Sequence, residues 1–64
     1  MKPIDETVAA LVSLLNEDLY ELWQERAAIR QYDGGQAREF AEAMAVLDLV
    51  RINPSAALSC WTRD

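Results

Sequence analysis

The chain has no histidine, one cysteine, two glycines and two prolines, and its single lysine is Lys2. Each scarcity excludes something. Without histidine, no side chain ordinarily exchanges a proton near neutral pH. Ser13, Ser55, Ser59 and Cys60 therefore have no imidazole base to activate them as nucleophiles. One cysteine and no histidine exclude a structural zinc site, and Cys60 has no mate within the chain. A free thiol fits a reducing compartment, so a cytoplasmic setting is expected. The longest apolar stretch, Val8 to Leu15, is interrupted by Ser13 and is far shorter than a membrane span. The opening Met1-Lys2-Pro3-Ile4-Asp5-Glu6 lacks the basic-then-apolar order of a signal peptide. Gly34-Gly35 stands in no phosphate-loop context. The sequence thus predicts no enzyme, no metal, no cofactor and no membrane partner.

What is present is enough for one small domain spanning residues 1–64. Burial of apolar surface stabilises such a chain by roughly 90–95 kcal/mol at about 25 cal/mol per Å². Ordering its 64 residues costs roughly 96 kcal/mol. With the two terms nearly equal, a homodimer or a bound partner is expected to supply the margin.

The apolar residues recur at helical spacing. Val8, Leu11, Val12, Leu15, Leu19, Leu22 and Trp23 fall within an arc of roughly 120° at 100° per residue. Pro3 and Asp5 suit a helix opening, and Asp5-Glu6 place negative charge at its positive end. The pattern favours one continuous helix to about Tyr32, with or without a kink. The competing reading breaks it near Asn16, where Asn16 caps and Asp18 with Glu21 offers a capping-box spacing. Asp33-Gly34-Gly35 is the clearest stop in the chain. A second helix is predicted from about Ala37 to Arg51, with Ala37, Phe40, Ala41, Met44, Leu47 and Val50 as the face packed on the first. Asn53-Pro54 then opens a short third helix or tail over Ser55 to Trp61. The expected class is all-α: an antiparallel helical hairpin with a short C-terminal element.

Charge is distributed unevenly. Residues 1–25 hold one base against six acids, a net of −5, whereas residues 26–64 hold five arginines against five acids. Glu17, Glu21 and Glu25 form a ladder one turn apart, and with Asp18 they fill an arc of about 100° beside the apolar stripe. No base stands three or four residues from any of the four, although like charges at that spacing weaken a helix. The ordinary reading of such a face is a solvated surface. The functional reading is a strip that binds a basic protein surface, its carboxylates standing in for phosphates. Either way, direct nucleic-acid binding by residues 1–25 is disfavoured. Tyr20 or Trp23 would be the apolar anchor of such a contact.

Arg26 projects on the centre of the apolar stripe. Its stem is expected to be buried and its head paired with an acid of the second helix, Glu39 or Glu42, with phosphate binding as the alternative. Arg30 is expected to pair with Asp33. Val46 and Leu49 project away from the Phe40/Met44/Leu47 face. Either the third element covers them with Leu58 and Trp61, or Val46, Leu49 and Trp61 form an oligomer surface.

The run Glu25-Arg26-Ala27-Ala28-Ile29-Arg30-Gln31-Tyr32-Asp33-Gly34-Gly35, followed by Arg38-Glu39 and Ala41-Glu42-Ala43, resembles an element of proteobacterial plasmid and prophage proteins. There a helix ending in E-R-A-A-I-x-x-x-D-G-G turns into a second helix of the type R-x-x-A-E. Gln36-Ala37 stand where that element usually has a Ser or Thr cap, and the C-terminal cysteine pairs of some relatives are absent. The resemblance implies a bacterial mobile-element context and carries no catalytic residue. In size, charge and context the chain is similar to small anti-CRISPR proteins, many of which cover the basic nucleic-acid channel of an interference complex. The expected function is therefore a non-enzymatic inhibitor that binds such a complex through Glu17, Asp18, Glu21, Glu25, Tyr20 and Trp23. The alternatives are a homodimeric accessory module of a plasmid or phage replication protein and an antitoxin-like regulator.

Overall fold

The computed structural model describes residues 3–62; Lys2, the one base of the acidic segment, lies outside them. The fold is all-α. Helix α1 spans Glu6–Ser13, α2 Glu17–Ala28, α3 Arg38–Ile52 and α4 Pro54–Thr62. None is long and apolar enough to cross a membrane.

The break between α1 and α2 corrects the continuous-helix expectation. The Asn16 side chain accepts from the Leu19 N–H at 2.9 Å, satisfying a donor that the first turn of α2 leaves open. On the other side, Leu14 and Leu15 close α1 with tighter bonds to Leu11 and Val12. Asp5 caps α1, accepting from Thr7 and Val8. The cap of α2 is Asn16 itself, so Asp18 and Glu21 do not form the capping box; Glu17 and Asp18 occupy the first turn.

Helix α2 runs on into a wide turn of π-helix over Ile29–Asp33, closed where the Gly34 N–H meets the Ile29 carbonyl at 3.0 Å. The two glycines serve different purposes. A Cβ on Gly34 would lie 2.7 Å from the Arg30 carbonyl oxygen, whereas Gly35 takes φ +67°. Helix α3 then starts at Ala37 without a side-chain cap bond, as the missing Ser or Thr implies. Pro54 opens α4, and the Asn53 carbonyl accepts from Ala57.

Helix α3 is the hub: α1, α2 and α4 all pack on it. The core gathers Val8 and Val12 from α1, Leu19, Trp23 and Ala27 from α2, Ala45, Val46 and Leu49 from α3, and Ala57 from α4. The Cα envelope measures 36 × 23 × 16 Å, and its least dimension is about the thickness of two helical layers.

The buried face of α3 is not the one its large apolar residues suggest. Ala41, Glu42, Ala45, Val46, Asp48 and Leu49 point inward. Phe40 and Leu47 are 53% and 58% exposed. Val46 and Leu49 are therefore core residues, covered rather than offered as an oligomer surface. The cover comes from Ala57 and half-buried Trp61, whose indole N–H donates to the Leu11 carbonyl at 2.9 Å; Leu58 stays exposed. The reason for the inversion is polar. Glu42 and Asp48 have partners on the inside, and Ala41 and Ala45 leave α2 room to approach.

Candidate interaction surfaces and the buried ion network

Asp48 is 3% exposed and holds three arginines. Arg30 donates twice, Nε to Oδ2 and Nη2 to Oδ1, both at 2.7 Å, in the fork geometry that suits guanidinium and carboxylate. Arg26 Nε reaches Oδ2 at 3.4 Å. Arg51 approaches from one turn along α3 at 3.8 Å, with its side chain 70% exposed. The hydrogen bonds from Arg30 hold the Asp48 carboxyl below its usual range. The bond from Arg26 adds to this, and burial opposes it. Reciprocally, the Asp48 carboxylate raises the pKa of Arg30.

Glu42, fully buried, is the second junction. Its Oε2 accepts from Arg38 Nε at 2.9 Å, and its Oε1 from the Ile4 backbone N–H at 2.9 Å. Its carbonyl accepts the Trp23 indole N–H at 3.0 Å. One residue thus ties the chain before α1 to α3 and fixes the largest core side chain of α2.

These contacts revise several sequence expectations. Arg26 does pair with an acid of the second helix, but that acid is Asp48 rather than Glu39 or Glu42. Arg30 turns to Asp48 and not to Asp33. Trp23 is wholly buried with its N–H bonded, so it is not a surface anchor. Tyr20 is half-buried, its ring tilted against Trp23 at 5.8 Å between centroids. Sequence reasoning missed Glu42 and Asp48 as structural centres. Their positions between Ala41, Ala45 and Leu49 were the available signal.

The structure brings Glu17, Asp18, Glu21 and Glu25 together on the exposed side of α2. None of them makes an ion pair among the described residues, while Arg26, Arg30, Arg38 and Arg51 all turn toward the α3 acids. The outward field of the described surface is therefore dominated by carboxylates. The break at Asn16 supplies a local reason for Glu17 and Asp18, which lie at the positive end of the α2 dipole. Glu21 and Glu25, further along, have no such reason.

A second surface lies on the far side of α3. A groove of about 590 Å³ between α1 and α3 is lined by Val8, Leu11, Phe40, Ala43, Val46 and Leu47, with Asp5, Thr7 and Glu39 completing its lining. It is open and mostly apolar, with no convergent acid–base pair. Among the described residues no cluster of histidine, cysteine, aspartate or glutamate is placed to hold a metal ion. Comparison with protein-family models, with curated proteins and with solved structures finds no match to this chain.

Proposed function

We propose that this chain is a non-enzymatic binding protein whose α2 acid face docks on a basic, nucleic-acid-binding surface of a host complex. The observation that supports this reading is the division of charge. The described arginines are engaged by Glu42 and Asp48, and Glu17, Asp18, Glu21 and Glu25 are left exposed without counterions. A row of carboxylates about one turn apart presents charge to a groove that otherwise takes phosphates. The resemblance of residues 25–43 to a plasmid and prophage element makes a CRISPR interference complex the proposed target, and an anti-CRISPR inhibitor the proposed role. Tyr20, at the edge of this face, is the aromatic that remains for an anchor.

The test is retention of a bacterial interference complex on immobilised chain, followed by elution with a single-stranded polynucleotide. Wild type retains the complex and the polyanion releases it. The Glu17→Lys/Glu21→Lys/Glu25→Lys variant keeps its helicity and retains nothing. Equal retention by both chains, or release by neither, contradicts the proposal.

The homodimeric accessory module is the second reading. One observation favours it: the apolar outer stripe of α3, which lies outside the acid face.

A further inference from the structure

A helix in a two-layer protein is ordinarily apolar on one side. Helix α3 is apolar on two. Outside its buried face, Phe40, Ala43, Leu47 and Val50 follow one another at spacings of three, four and three, the interval of a helix–helix seam. Phe40 and Leu47, one heptad apart, are more than half exposed, and Ala43 and Val50 are half-buried between and beyond them. A fold about 16 Å thick has no third layer to cover this seam.

We infer that the occupant of the seam is a second copy of the chain, with the two α3 helices antiparallel about a two-fold axis near Ala45. The sequence along the seam is self-complementary under that operation. Phe40 faces Val50 of the second copy. Ala43, the smallest knob, faces Leu47 of the second copy, a large one, and that leucine enters the groove beside α1. The ends carry the charge match. Glu39, on the lip of the groove, meets Arg51 of the second copy. Arg51 is the arginine best placed for this, because its side chain is 70% exposed and its contact with Asp48 is long at 3.8 Å. Two-fold symmetry repeats each pairing, so the contact closes on itself and does not propagate. The acids of α2 do not oppose it, since α2 packs on the inner side of α3 and the seam is on the outer side. The near-balance of burial and ordering in a 64-residue chain gives such a dimer a thermodynamic role.

Sedimentation equilibrium on the full chain, across the micromolar range, tests this. Wild type fits a monomer–dimer equilibrium. Leu47→Asp shifts it at least tenfold toward monomer with its helical circular dichroism unchanged. Glu39→Arg and Arg51→Glu each weaken the dimer roughly three- to tenfold, and the two changes together restore it. That rescue distinguishes the antiparallel pairing from general loss of fold. A wild-type monomer throughout the range overturns the inference. So does a dimer that neither Leu47→Asp nor the single charge reversals disturb. Both results are independent of whether the α2 acids bind a target.

Discussion

The side of α3 that meets α2 carries Glu42, Asp48 and alanines, whereas the side turned away carries Phe40 and Leu47. Size and hydrophobicity would assign these faces the other way round. The inner face works because its carboxylates are satisfied. Asp48 accepts a forked pair from Arg30, and Glu42 accepts from Arg38 and the Ile4 backbone. A buried charge with partners is tolerated, while the same charge without them is costly. The outer face shows the complementary lesson: a large side chain left exposed beside a groove marks a surface for another molecule rather than a defect in packing.

The largest expected effect separates a side chain on the inner side from one on the outer. Trp23→Ala removes the largest core side chain and the donor to the Glu42 carbonyl. It should cost about 3–5 kcal/mol, enough to unfold most of a chain this small. Phe40→Ala should change the stability of the dilute, monomeric chain by less than about 0.5 kcal/mol. Chemical denaturation of the two variants side by side measures both. A large loss in Phe40→Ala would place that ring in the core and dissolve the contrast between the faces. A smaller effect sharpens its boundary. Asn16→Ala takes away the cap that ends the α1–α2 elbow and so fixes the groove wall beside α3. A loss of about 1 kcal/mol is expected in the same assay.

Much of this fold was legible in the sequence. The Asp33-Gly34-Gly35 stop, the second helix and the Asn53-Pro54 opening of the third element all follow from local backbone chemistry that long-range packing does not override. Two features were not legible for physical reasons. The apolar period continues from Leu15 through Leu19, so one side-chain cap at Asn16 had to outweigh an unbroken stripe. The facing of α3 is set by ion pairs between residues 18 and 22 positions apart, which no wheel diagram records. Of the candidate site, the four acids of α2 were readable because their exposure follows from helical spacing alone. Trp23 was misassigned because its burial depends on the Glu42 carbonyl across the interface. Val46 and Leu49 were left between two readings because their cover arrives from α4.

The adjacent residues Leu47 and Asp48 allow the most direct test, since one belongs to each face. Leu47→Asn and Asp48→Asn can be compared by tryptophan fluorescence in denaturant, at concentrations where the chain is monomeric. Folding lowers the Asp48 pKa, so its contribution is fully present above the usual carboxylate range near about 3.9 and fades as pH falls through the lower folded value. The account predicts that at neutral pH Asp48→Asn loses about 1–3 kcal/mol and also loses part of the wild-type sensitivity to acid. Leu47→Asn should stay within about 0.5 kcal/mol of wild type at every pH. The opposite ranking, with Leu47→Asn unfolding the chain and Asp48→Asn neutral, would contradict the claim that α3 keeps its charge inside and its apolar seam outside.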